Sequence, residues 1–154
     1  MKKVLMYTDG SCLKNPGPGG FGVVLKYNEH SKELCAGFPR TTNNAMELLG
    51  VINGLACLKE PCDVEVTTDS KYVKDGIESW LQAWKKNNWK TKENKQVKNR
   101  ELWEMLDEQL CRHNVTMHWI KGHSGHTENE RCDTMARECA ARQQSAEELE
   151  RVRY

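Results

Sequence analysis

An α/β fold, with a five-stranded mixed sheet flanked by helices, is what this chain predicts. Three observations carry it. Three short β-prone runs joined by turns open the sequence, at 3–9, 21–27 and 33–38. At residue 44 the pattern changes to apolar residues at helical spacing. From there helix-like segments alternate with two further strand-like ones, at 64–68 and 115–119.

The elements follow in order. Residues 3–9 (KVLMYTD) are apolar and β-prone, 21–27 (FGVVLKY) follow a glycine- and proline-rich turn at 15–20, and 33–38 (ELCAGF) follow a polar turn at 28–32. Short turns between such runs make an antiparallel meander. Residues 44–59 carry Leu48, Leu49, Ile52, Leu55 and Ala56 on one helical face. VEVTT at 64–68 reads as a strand, followed by a helix from about 70 to 80. The basic stretch 81–98 reads as a short helix and a loop. Leu102, Trp103, Leu106 and Leu110 stripe a helix over 100–111, with Asn99 as its cap. Val115, Met117 and Trp119 alternate as in a half-buried strand. Thr127-x-x-Glu130 has the form of a capping box opening a helix that runs to about 143. Residues 1–143 are thus expected to form one domain that includes the basic stretch at about 80–100, and the polar tail 144–154 is expected to be flexible.

Composition narrows the function classes. The chain has 154 residues, 38% hydrophobic and 29% charged. The apolar run in MKKVLMYTDG is too short for a signal-peptide core, and no stretch approaches a membrane span, so a cytoplasmic protein without a membrane partner is expected. Seven cysteines, an odd number without any CxxC pair, read as reduced thiols rather than disulfides or a zinc site. The net charge of +1 hides an asymmetry: residues 85–100 hold seven lysines and arginines against Glu93 alone. A basic island on an acidic body fits a polyanionic partner.

Four acids punctuate the predicted elements: Asp9, Glu47, Asp69 and Asp133. Each has an ordinary reading. Asp9-Gly10 suits a type I′ turn. Glu47 stands three after Asn44, as in a capping box, and Asp69 could cap the helix after its strand. Asp133 lies four before Arg137, the spacing of a helix-surface ion pair. Taken together they point elsewhere, because acids at strand ends and on sheet-packed helices can converge on one point. Clustered carboxylates suit hard divalent cations such as Mg²⁺, with substrate phosphates completing the coordination. His123, in the glycine-flanked loop 121–126, has an imidazole suited to proton transfer near neutral pH.

The motifs resemble those of bacterial ribonuclease HI, in order and spacing, over about residues 3–142. They are YTDGSCLKNPGPGG around Asp9, TTNNAMEL ending at Glu47 and Leu48, TDSKYV from Thr68, WKKNNWK from Trp84, and WIKGHSGHTENERCD from Trp119 to Asp133. The resemblance implies a ribonuclease H fold of three antiparallel then two parallel strands. It implies cleavage of the RNA strand of an RNA–DNA hybrid through two Mg²⁺ ions, with Mn²⁺ as an alternative, leaving 5′-phosphate and 3′-hydroxyl ends. Asp9, Glu47, Asp69 and Asp133 match the family's metal ligands, and His123 its loop histidine. Cys12, Asn15, Asn43, Asn44 and Lys71 match contacts near the RNA strand, and Arg40, Thr42 and Asn99 a pocket for a DNA phosphate. Trp80, Trp84, Lys85 and Lys86 match a channel for the DNA strand. The chain departs from the family's usual residues at Lys14 (glycine), Ala45 (arginine), Lys71 (glutamine) and Ser124 (alanine). Lysine donates but cannot accept, so Lys71 alters the hydrogen bonding open to the minor groove. A monomer is expected. The competing readings are a non-catalytic binder of hybrids or double-stranded RNA, and another nuclease on the same fold, such as a resolvase.

Overall fold

The computed structural model describes residues 1–122 and 125–153, the side chains of 147–153 excepted. Three antiparallel strands open it: β1 (Lys2–Cys12), β2 (Gly17–Tyr27) and β3 (His30–Thr41). Helix α1 (Asn43–Ala56) leads to β4 (Cys62–Thr68), which pairs parallel with β1. A continuous helical stretch follows, made of α2 (Lys71–Asp75), a π turn (Gly76–Trp80) and α3 (Leu81–Lys86). Then come α4 (Arg100–Arg112), β5 (Asn114–Trp119), parallel to β4, and α5 (Thr127–Arg153). The strand order is β3-β2-β1-β4-β5. This is the five-stranded mixed sheet read from the sequence.

The main core lies between the sheet and α1 and α4. Met6, Val23, Val64 and Val66 from the strands meet Leu48, Val51, Leu55, Trp103 and Leu106, all nearly or fully buried. On the other sheet face α5 packs through Cys132 and Met135 against Val24. All seven thiols are free. Among the described residues, no helix is long and apolar enough to cross a membrane.

The strands are longer than their apolar runs. Gly17, Gly19 and Gly20, expected in a turn, belong to β2, and Cys12 pairs with Gly19. The reason is tertiary. A Cβ at Gly20 would come within 2.7 Å of Ala136 O, and one at Gly22 within 2.4 Å of Cys132 O. Helix α5 lies almost on the strand backbone, which only glycine permits.

Helix caps also differ from the expectations. Asn99 precedes α4 in a left-handed conformation (φ 60°) and makes no side-chain cap; its amide donates to Tyr72 Oη at 3.2 Å. Thr127 is the first residue of α5, whose Glu130 N–H already bonds His126 O at 2.8 Å. That helix continues past 143 to Arg153. Residues 140–153 contain alanine, glutamate, arginine and glutamine, with no glycine or proline to stop it.

The basic segment is built, not loose. Asn87 Nδ2 holds the carbonyls of Lys90 and Thr91, Lys90 bridges Gln96, and Val97 N–H bonds Trp89 O. Buried Val97 and partly buried Trp89 fasten the segment to the core.

Candidate active site

Strand register brings the first two acids together. β1 and β4 run parallel, and their last paired residues are Tyr7 and Thr67. Asp9 and Asp69 each stand two residues further on, Asp9 still inside β1 and Asp69 just past the end of β4. Glu47 comes from the second turn of α1. The start of that helix presses on β1 so closely that a Cβ at Gly10 would fall 2.7 Å from Glu47 N. Gly10 N–H donates to Asp9 Oδ1 at 2.9 Å and to Glu47 Oε1 at 3.0 Å, linking strand and helix. Ligand oxygens of Asp9, Glu47 and Asp69 lie within 4.8 Å of one another.

Three of the ordinary readings are thereby displaced. Asp9 lies inside a strand, paired with Gly22, and not in a hairpin turn. Thr42 caps α1, its Oγ1 accepting from Ala45 N–H, so Glu47 closes no capping box. Ser70 caps α2, accepting from Val73 N–H, so Asp69 is not the cap. The fourth stands: Asp133 Oδ2 accepts from Arg137 Nε at 3.0 Å, while Asp133 also lines the cleft at its α5 side.

The electrostatics are those of crowded carboxyl groups that resist ionising together. Burial, with the Asp69 charge beside it, pushes the Asp9 carboxyl up to about 7. Burial and the charges of Asp9 and Asp69 hold Glu47 well above the usual carboxylate range. Glu47 Oε2 is buried and has no hydrogen-bond partner among the described residues. A buried carboxylate oxygen without a donor costs free energy unless a cation meets it. The donor set is all oxygen and anionic, which fits a hard divalent ion and not a soft one.

The cleft around these acids has a volume of about 540 Å³. Of the residues expected near the RNA strand, Cys12, Asn43, Asn44 and Lys71 line it. Asn15 stands behind, its Oδ1 accepting from Asn43 N–H at 3.1 Å. Arg40 and Thr42 sit where β3 gives way to α1. Asn99 is tied through Tyr72 to an aromatic cluster: Tyr72 stacks on Trp103 at 5.3 Å and meets Trp80 edge-on at 5.9 Å, and Trp80 lies 5.8 Å from Trp84. Trp80 and Trp84 floor a second groove, with Lys90 and Lys92 on its wall. Lys85 is held by Asp107 at 3.1 Å, and Lys86 follows it at the end of α3. His123 and Ser124 lie outside the described residues.

Several cleft residues were not singled out from the sequence as site residues, Tyr72, Asn129 and Glu130 among them. A signal existed for two of them, since Asn129 and Glu130 precede Asp133 by four and three residues and share its helix face. Asn129 Oδ1 is buried without a hydrogen-bond partner among the described residues. His126, a weak candidate from the sequence, also lines the cleft.

Fold and cleft define a class of α/β proteins that gather acidic side chains where the central parallel strands of a mixed sheet end. The family model RNase H matches residues 1–141. The ribonuclease H of Pseudoalteromonas atlantica is 60% identical over 141 residues, 92% of each chain. That of Idiomarina loihiensis is 56% identical over 147 residues, 96% of this chain and 94% of its own. Among solved structures, LC9-RNase H1, a type 1 RNase H with the type 2 active-site motif, matches with a TM-score of 0.84 at 31% identity, covering 92% of this chain and 74% of its own. The chain belongs to the ribonuclease H family and is a nuclease.

Proposed function

We propose that this protein is an endoribonuclease that hydrolyses the RNA strand of RNA–DNA hybrids, using divalent cations and leaving 5′-phosphate and 3′-hydroxyl ends. One observation carries the reading: Asp9, Glu47 and Asp69 converge within 4.8 Å, and a buried oxygen of Glu47 lacks a donor. These three, with Asp133 at the rim, would hold two Mg²⁺ ions, or Mn²⁺ in their place. When bound, such ions supply the charge that activates water and stabilises the departing 3′-oxygen of a phosphodiester.

The chain's own residues do the rest. Gly10 carries no side chain, so α1 can bring Glu47 against the strand that holds Asp9. Asn43 and Asn44 present amides that can both donate and accept, as reading a 2′-hydroxyl requires. Cys12, Asn15 and Lys71 complete the RNA side. Arg40, Thr42 and Asn99 would bind a DNA phosphate, and the groove over Trp80 and Trp84, with Lys85 and Lys86, would take the DNA strand. His123 would pass a proton toward the leaving oxygen. The enzyme is read as cytoplasmic and monomeric.

Cleavage of an end-labelled hybrid with Mg²⁺, beside RNA–RNA and DNA–DNA duplexes, tests this. Cutting confined to the RNA of the hybrid, lost in EDTA and in Asp69→Asn, is the expected outcome. Binding without cutting would instead make the protein a binding module, and cutting of branched DNA would make it a different nuclease. Asp69→Asn with parental activity would remove the metal assignment. His123→Ala should slow turnover without abolishing it.

A further inference from the structure

An aromatic residue on the edge strand holds the main-chain carbonyl of Asp69. We propose that Trp119 is a positioning residue with two arms: its indole N–H orients the Asp69 backbone for cation binding, and its ring holds the Lys71 ammonium ready for an acceptor on the hybrid. This rests on the cation and substrate roles proposed above for Asp69 and Lys71.

Trp119 ends β5 and is the register partner of Thr68, the last residue of β4. The ladder continues one bond further, Ile120 N–H donating to Thr68 O at 3.0 Å. Asp69 is the next residue, and there the indole takes over: Trp119 Nε1 donates to Asp69 O at 2.9 Å. The peptide following Asp69 is thus anchored from the neighbouring strand by a side chain. Downstream of Trp119 the chain turns across the carboxylate itself, since a Cβ at Gly122 would lie 3.1 Å from Asp69 Oδ2. Residues 119–122 therefore bracket Asp69 at both its carbonyl and its side chain.

The same ring serves the second arm. Lys71 Nζ lies 5.1 Å from the Trp119 ring centroid, within cation–π range. Lys71 also lines the cleft with the acids. Stacking on the indole keeps the ammonium at the cleft wall, and the attraction is weak enough at an exposed site to be exchanged for an oxygen of the substrate. Trp119 is 38% exposed, so burial of its ring accounts for only part of its placement.

The arms separate by substitution. Trp119→Phe keeps an aromatic face and removes the N–H; Trp119→Leu removes both; Lys71→Met removes the ammonium alone. Two readouts other than turnover are needed: Mg²⁺ affinity of the protein by titration calorimetry, and affinity for a labelled RNA–DNA duplex by anisotropy in EDTA. Removing the hydrogen bond that fixes the main chain of a metal-binding residue should weaken Mg²⁺ binding about tenfold in Trp119→Phe and Trp119→Leu, and not in Lys71→Met. Hybrid affinity should fall about two- to fivefold in Trp119→Leu and Lys71→Met, not further in the double variant, and stay near parental in Trp119→Phe. Parental Mg²⁺ affinity in a folded Trp119→Phe overturns the first arm. Parental hybrid affinity in Trp119→Leu overturns the second. A merely structural tryptophan would lower the melting temperature and leave the Mg²⁺ affinity of the folded protein unmoved, which also overturns the proposal. A parent that binds neither Mg²⁺ nor hybrid is a separate result, because it removes the enzyme reading itself and this inference with it.

Discussion

Asp9 offers the sharpest test of the electrostatics at the scale of one residue. Its folded pKa of about 7 stands above the ordinary 3.8, so the cation-free fold prefers the protonated acid. The cost of ionising it is absent below about pH 4, grows with pH, and is fully in force above about pH 7. Asp9→Asn keeps an acceptor for Gly10 N–H and removes the charge. In EDTA near neutral or higher pH it should therefore be more stable than the parent, by on the order of 1–3 kcal/mol, with the two converging near pH 4. Thermal melts across that range check this, and Mg²⁺ should favour the parent. Lys14 gives a second test. It sits at φ 54°, in the left-handed region where glycine is at ease and lysine is not. Lys14→Gly should gain about 1 kcal/mol in a denaturant melt. That conformation also explains why glycine would suit the position, a fact about the backbone that no inspection of side-chain chemistry reveals.

Element junctions carry buried polar chemistry of their own. At the end of α4, His113 is 6% exposed; its Nδ1 accepts from Cys62 N–H at 3.0 Å and its Nε2 faces Leu55 O at 3.0 Å. One neutral tautomer, protonated on Nε2, satisfies both partners. Arg112 beside it binds the carbonyls of Leu55 and Leu58. The pair joins the end of α1, the start of β4 and the end of α4. Burial lowers the His113 pKa, and the Arg112 charge adds to this. A depressed folded pKa means the contribution is intact above the unfolded value of about 6.5 and is lost as pH falls through the folded one. His113→Phe, which leaves Cys62 N–H without its acceptor, should cost about 1–3 kcal/mol near pH 7, a gap that narrows as pH falls toward 5. Sequence periodicity located α1, α4 and β5, because burial of one face writes itself into spacing. It misplaced caps, because an asparagine or threonine near a helix start looks the same whether or not its side chain turns back. Asn99 turns to Tyr72 instead, and the working caps are Thr42 and Ser70.

Over the whole molecule, charge is divided between an acidic cleft and a basic segment anchored by Trp89 and Val97. Replacing Lys85 and Lys86 with glutamine should weaken hybrid binding and flatten its salt dependence, by about 0.9 in log–log slope for each phosphate left unneutralised. Anisotropy titrations over a salt series measure it, and an unchanged slope would take these lysines out of the interface. Because Asp107 holds Lys85 in the free protein, Asp107→Asn should tighten binding at low salt. The four acids were legible as a set, yet the distances that join three of them depend on parallel register and on how near two helices approach the sheet. That nearness has a consequence beyond packing. Gly22 is the register partner of Asp9, and above it lies Cys132 O, one residue before Asp133. The absent side chain of Gly22 therefore acts as a spacer of fixed thickness between the acid on the strand and the acid on the helix. A single added methyl would lift α5 and withdraw Asp133, so a residue with no reactive group sets how far apart the two acids of the cleft stand.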